Sequence, residues 1–198
     1  MMKDIKQKIL NSWLDNIPFD GVSLLSLEKT AENLGHNKDM ITALFPQGVS
    51  GALSDLSKYF DEETKAQLEA LDTQDMRIPE RIYIGAKTRL SIMSPHKEAY
   101  RKITAYWAMP LRWGHAKRLV WNTADTIWTW AGDTSTDYNF YTKRGLLLGI
   151  ISATYIFWLQ DDSENGYKTE DFLQHQIEKT GKIGKLVHKI KTKNSAKT

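Results

Sequence analysis

Apolar residues recur three and four positions apart along nearly the whole chain, and two-residue alternation is sustained nowhere, so the pattern predicts an all-α fold. Ile5, Ile9 and Trp13 mark a first helix over 3–15, which Pro18 and Gly21 are expected to end. Leu27, Ala31 and Leu34 give the next apolar face. Gly35 lies at a turn, and Asn37 is placed to cap a short helix carrying Ile41 and Leu44 before Phe45-Pro46-Gln47-Gly48 stops it. Leu53, Leu56 and Phe60 stripe a helix over 50–71, with Asp61-Glu62-Glu63 on its solvated side. Pro79 sits in the first turn of a helix whose core face is Ile82, Ala86 and Leu90. Ser94-Pro95 opens a helix with Tyr100, Ile103 and Trp107, and Pro110 separates it from one over 111–131. There Trp121, Ala124, Trp128 and Ala131 share a face, and Gly132 can end the helix by taking positive φ. Thr134 and Asp137 fit a Ser/Thr-x-x-Asp/Glu start signal for a helix over 136–159, and Thr169 is expected to cap a last one with Phe172, Leu173 and Ile177.

The apolar run from Gly145 to Leu159 is broken only by Ser152 and Thr154. A membrane-spanning helix needs about 20 residues, so the run reads as a buried helix. Its Gly145 and Gly149 are expected to admit a closely packed backbone. The 198 residues, 41% of them apolar, suffice for one domain with a small head. This divides into a helix-turn-helix-like module over 1–48, a larger ligand-pocket bundle over 49–178 and a basic tail over 179–198. With no cysteine, a disulfide scaffold and a thiolate metal site are excluded. The N-terminus has no long apolar core, so no signal peptide is expected.

Charge changes the picture at both ends. The module over 26–46 resembles the N-terminal part of TetR-type regulators. Yet residues 1–60 hold six lysines (3, 6, 8, 29, 38, 58) against seven acids (4, 15, 20, 28, 32, 39, 55), a sum of −1. Reading DNA requires several phosphate contacts from Lys or Arg, and the second helix offers Lys38, then Asp39, and no Arg. No nucleic-acid partner is expected. The overall net charge of +3 comes from the tail, where seven lysines follow position 178 with no acid. Ile183, Leu186, Val187 and Ile190 share one face there, beside Lys182, Lys185 and Lys189. That is the make-up of a basic helix lying on anionic lipid; a solvated lysine tail is the other reading.

Catalytic patterns do not emerge. The five histidines stand in no His-Glu-x-x-His or Glu-x-x-His arrangement, and there is no nucleophile elbow, P-loop or dinucleotide fingerprint. Asp161, Ser163, Asn165 and Gly166 match half of an EF-hand loop, but Phe172 stands where its bidentate Glu belongs. Asp133 and Asp137 read as helix caps. Neither an enzyme nor a metal or cofactor is expected. Six of the seven tryptophans fall between Trp107 and Trp158, as an aromatic core or as the lining of an apolar ligand pocket. The pocket reading names Trp107, Trp113, Trp121, Trp128, Leu147, Ile150, Ile151 and Tyr155.

Trp-Asn-Thr-Ala-Asp (121–125), Gly-Asp-Thr-Ser-Thr-Asp-Tyr-Asn-Phe-Tyr-Thr-Lys-Arg (132–144) and Gln-Asp-Asp-Ser (160–163) resemble the ubiquinone-biosynthesis accessory family called Coq-nine. The resemblance implies a TetR-like helical bundle, dimeric and without DNA regulation, that binds isoprenoid quinone lipids. It further implies presentation of that lipid to the di-iron demethoxy-ubiquinone hydroxylase, and attachment to a membrane through the C-terminal helix. The place implied is the cytoplasm, peripheral to the inner membrane, or the mitochondrial matrix side in a eukaryote. A partner patch carries over onto Asp137, Phe140 and Tyr141, with Arg144 as a further outward residue. A TetR-type regulator with a hydrophobic effector is the alternative.

Overall fold

The computed structural model describes residues 2–180, and among them every regular element is helical. In order these are α1 (Met2–Asp20), α2 (Leu24–Asn33), α3 (Asp39–Leu44), α4 (Gly48–Glu69), α5 (Ile78–Met93), α6 (Lys97–Trp107), α7 (Trp113–Trp130) and α8 (Tyr138–Gln160). A further helix, α9, runs through 167–180. The chain forms two compact units. One joins the segment up to Thr64 with Ser91–Asn122; the other joins Lys65–Leu90 with the segment that begins at Thr123. The basic tail residues Lys182, Ile183, Lys185, Leu186, Val187, Lys189 and Ile190 lie outside the described residues.

In the first unit α1 packs against α2 and α6, and α2 against α3. Ile9, Trp13 and Ile17 are fully buried, as are Leu27, Ala31 and Ile41 of the helix-turn-helix. Pro18 does not end α1, contrary to expectation; the helix continues to Asp20. Proline removes one N–H, but the buried Trp13, Leu14 and Ile17 just before it anchor this end of the helix, and only the exposed Phe19 and Asp20 follow it. The Gly21 amide still donates to the Ile17 carbonyl (2.9 Å), and the chain turns only at Gly21, where φ is +78°. A reciprocal cap that the sequence reading missed then starts α2. The Ser26 amide donates to Ser23 Oγ (3.0 Å) and the Ser23 amide to Ser26 Oγ (3.2 Å). Asn37 does cap α3, its side-chain oxygen accepting from the Asp39 amide at 2.9 Å.

The second unit is built on Ile82 and Ala86 of α5, Ala124 and Ile127 of α7 with Ala131 just past its end, Leu147 of α8, and Leu173 and Ile177 of α9. The close helix approach is at Gly85, where a Cβ would stand 2.7 Å from Ile127 Cγ2. Gly145 and Gly149 do not play this role. Both face solvent, with no neighbouring atom within 4 Å of a Cβ at either. Counting apolar residues along 145–159 hid the fact that α8 has an exposed side, on which Leu146, Ile156 and Phe157 also lie.

α9 starts before Thr169, which is therefore inside the helix and not its cap. Asp161 does the joining. One carboxylate oxygen accepts from the Ser163 amide (2.9 Å); the other accepts from the Thr169 amide (2.8 Å) and hydroxyl (2.5 Å). Burial pushes the Asp161 carboxyl up, but these hydrogen bonds outweigh it and hold the group well below the usual carboxylate range.

Candidate functional site

The corner between α7 and α8 lies wholly in the second unit and is organised by a buried carboxylate. Gly132 ends α7 with φ +91°; its amide donates to the Thr129 carbonyl (3.1 Å) and the Asp133 amide to the Trp128 carbonyl (3.0 Å), which together close the last turn. This directs Asp133 back under the corner, where its side chain is 3% exposed. It accepts from Lys143 Nζ at 2.7 Å, Ser135 Oγ at 2.7 Å and Arg144 Nη1 at 2.8 Å. Burial alone would raise the Asp133 carboxyl, but the donors from Lys143, Ser135 and Arg144 prevail and hold it far below the usual carboxylate range.

Arg144 is therefore not an outward residue, as the sequence reading had it. Its side chain is buried, with Nε donating to Asp125 at 2.5 Å and the guanidinium lying 3.5 Å over the Phe140 ring. A guanidinium fits this place because its planar fork meets two carboxylates while its face rests on a ring. Trp128 completes the knot: its Nε1 donates to the Lys143 carbonyl at 3.0 Å. The Thr-Lys-Arg run thus ties α8 to α7. Asp125, Ser135 and Lys143, which sequence reasoning passed over, do as much as the residues it named.

What the corner turns outward is smaller. Asp137 is the exposed N-cap of α8, accepting from the Asn139 amide at 2.9 Å. Thr134 does not share in that cap, because the helix starts at Tyr138, one residue after Asp137. Tyr138 is 75% exposed and Tyr141 64%. Three positions apart, they stand on one face. Phe140 is half-buried, packed edge-on to Tyr141 with centroids 5.1 Å apart. The outward patch is Asp137, Tyr138 and Tyr141, with Phe140 as its floor. Tyr138 was legible as the i−3 neighbour of Tyr141.

The residues named for a pocket divide between the units. Trp128, Leu147, Ile150 and Ile151 gather in the second unit's core, and half-buried Tyr155 packs on Trp158 at 5.6 Å. Trp107 and Trp121 are half-buried in the first unit. Trp113 does not face inward: it is 64% exposed, its Nε1 spent on the Ala108 carbonyl at 3.0 Å.

An all-helical chain with this N-terminal helix-turn-helix has the TetR-like fold. The crystal structure of the TetR transcriptional regulator from Nitrosomonas europaea ATCC 19718 matches it with a TM-score of 0.71 at 18% identity, over 88% of this chain and 96% of that one. The family model described as COQ9, the family that the motifs resemble, matches residues 113–184, which include the whole corner. The ubiquinone biosynthesis protein COQ9, mitochondrial, of Rattus norvegicus is 26% identical over 98% of this chain and 64% of its own length. The protein of that name from Homo sapiens is 24% identical over 98% and 63%, and that from Xenopus tropicalis 28% over 98% and 63%. The chain is COQ9-like over nearly all its length and spans a little under two thirds of these relatives.

Proposed function

We propose that this protein is a non-catalytic accessory protein of ubiquinone biosynthesis that binds isoprenoid quinone intermediates and presents them to the di-iron demethoxy-ubiquinone hydroxylase. The observation that carries the reading is the COQ9 match over residues 113–184, supported by relatives named for ubiquinone biosynthesis that align with 98% of the chain. The chemistry is consistent with it. A polyisoprenoid tail exposed to water costs about 25 cal/mol per Å² of apolar surface, so such a substrate needs a protein to carry it between membrane and enzyme. The regulator's role is not favoured: α3 turns Asp39, Thr42 and Ala43 to solvent, and residues 1–60 sum to −1. The reading includes a homodimer, supported by the exposed apolar side of α8 around Gly145, Leu146, Gly149 and Ile156. It also includes a peripheral place on the inner membrane, on the matrix side in a eukaryote.

The test is the cargo. Protein purified without detergent and extracted into organic solvent is expected to release isoprenoid quinones, identified by mass spectrometry in amounts comparable to the protein. Repeatedly empty extracts would end the lipid-carrier reading. The partner contact is read separately. Tyr138→Ala with Tyr141→Ala is expected to weaken hydroxylase binding by about 30-fold, the loss of an aromatic hot spot of ~2 kcal/mol. Both side chains are largely exposed, so the melting temperature should not move. An unchanged calorimetric affinity would take the patch away from the hydroxylase.

A further inference from the structure

We propose that the turn between α6 and α7 is a membrane-inserting tip that docks the first unit on an anionic lipid surface. Three large apolar side chains stand out within five positions: Met109 at 53% exposure, Leu111 at 99% and Trp113 at 64%. Single exposed apolar residues are ordinary, but three on one turn form a patch. The turn is also held in shape. Pro110–Arg112 is a 3₁₀ turn closed by the Arg112 amide on the Met109 carbonyl at 2.9 Å. Trp113 Nε1 is tied to the Ala108 carbonyl. Arg112 donates to the Tyr106 carbonyl at 3.2 Å and lies 3.7 Å over the Tyr106 ring, whose hydroxyl meets Ser50 Oγ of α4 at 2.7 Å. A tip already ordered loses little freedom when it enters a bilayer interface.

Charge identifies what covers it. From 99 to 124 the chain carries Arg101, Lys102, Arg112, Lys117 and Arg118 and no carboxylate. Arg101 is paired with Glu98 at 2.5 Å; Lys102, Lys117 and Arg118 are exposed and Arg112 half-buried beneath the tip. An apolar tip with a basic rim fits an interface that offers hydrocarbon below anionic headgroups. Nucleic acid would satisfy the rim and leave Met109 and Leu111 in water. Among the described residues no helix is long and apolar enough to cross a membrane, so contact is made from the surface. Docking through this tip needs neither the bound quinone nor the lysine tail, which lies elsewhere in the sequence.

The chain has no cysteine, so Leu111→Cys places a single environment-sensitive fluorophore on the tip, and Ala70→Cys an exposed control on the other unit. Full-length protein is mixed with phosphatidylcholine vesicles with and without phosphatidylglycerol. The label at 111 is expected to shift blue and to be quenched by acyl-chain spin labels only with the anionic vesicles, while the control stays aqueous. In unlabelled protein, Met109→Ser with Leu111→Ser, and separately Lys117→Gln with Arg118→Gln, should each reduce vesicle partitioning about tenfold without changing the melting temperature. A label that stays aqueous while the protein sediments with vesicles overturns the proposal, as does protection of the label by an oligonucleotide or an acidic protein instead of lipid.

Discussion

Asp133→Asn is expected to lower stability by about 3 kcal/mol at neutral pH. The side chain lies under the α7–α8 corner, 3% exposed, and faces the equally buried Arg144. Removing its charge leaves a guanidinium with half its compensation. The loss falls at the low end of the ~3–5 kcal/mol range for breaking a buried pair, because Asp125 still accepts from Arg144 Nε and Lys143 is exposed enough to turn to water. The pH dependence has a definite sign. The Asp133 carboxyl is held below its unfolded value of about 3.9, so its contribution is complete well above that pH and is lost as pH falls toward the folded value. The difference between wild type and Asp133→Asn should therefore shrink below about pH 4. Urea titrations from pH 7 to about pH 3 measure it, and a difference that stays constant across that range would contradict the account. Asp161, also held low, adds to the acid sensitivity of both proteins and so cancels in the comparison.

Trp13→Ala is expected to cost the first unit about 3–5 kcal/mol. Trp13 is completely buried in α1, and its Nε1 donates to Ser26 Oγ at 2.9 Å. Truncation removes the largest side chain of that core and opens a cavity between α1 and α2. Trp13→Phe should cost less, because it keeps most of the volume and Ser26 retains its bonds with Ser23 and Gly21. Thermal melts of the two variants give the ranking; Phe as damaging as Ala would mean that the hydrogen bond, not the volume, holds the helices together.

Trp13 shows why the helices were legible: Ile5, Ile9 and Trp13 recur at four-residue spacing, and burial follows that period. Pro18 was misread because local propensity was weighed without the buried Trp13, Leu14 and Ile17 that anchor this end of α1. Around the corner, the length and composition of the motif pointed to the right stretch, but not to which side chains face in. Arg144 read as a surface base because its partners, Asp125 and Asp133, are 19 and 11 residues away, and no periodicity reports such pairings. Trp113 erred the other way: an aromatic in a Trp-rich segment reads as core, and only the geometry of the 110–112 turn puts it outside. Gly145 and Gly149 likewise needed a neighbouring helix before their spacing meant anything, and in this chain the close neighbour is at Gly85.

The inward use of charge at the corner has a kinetic consequence. Lys143 and Arg144 are matched by Asp133 and Asp125, so the face that presents Tyr138 and Tyr141 keeps little field beyond that of Asp137. A partner approaching there is not steered from a distance. Its association rate should be of the ordinary, orientation-limited order, about 10⁵–10⁷ M⁻¹s⁻¹, and nearly indifferent to ionic strength. The α6–α7 turn, with its basic rim, would lose its attraction to an anionic surface as salt is raised, so one protein would carry a salt-tolerant contact and a salt-sensitive one.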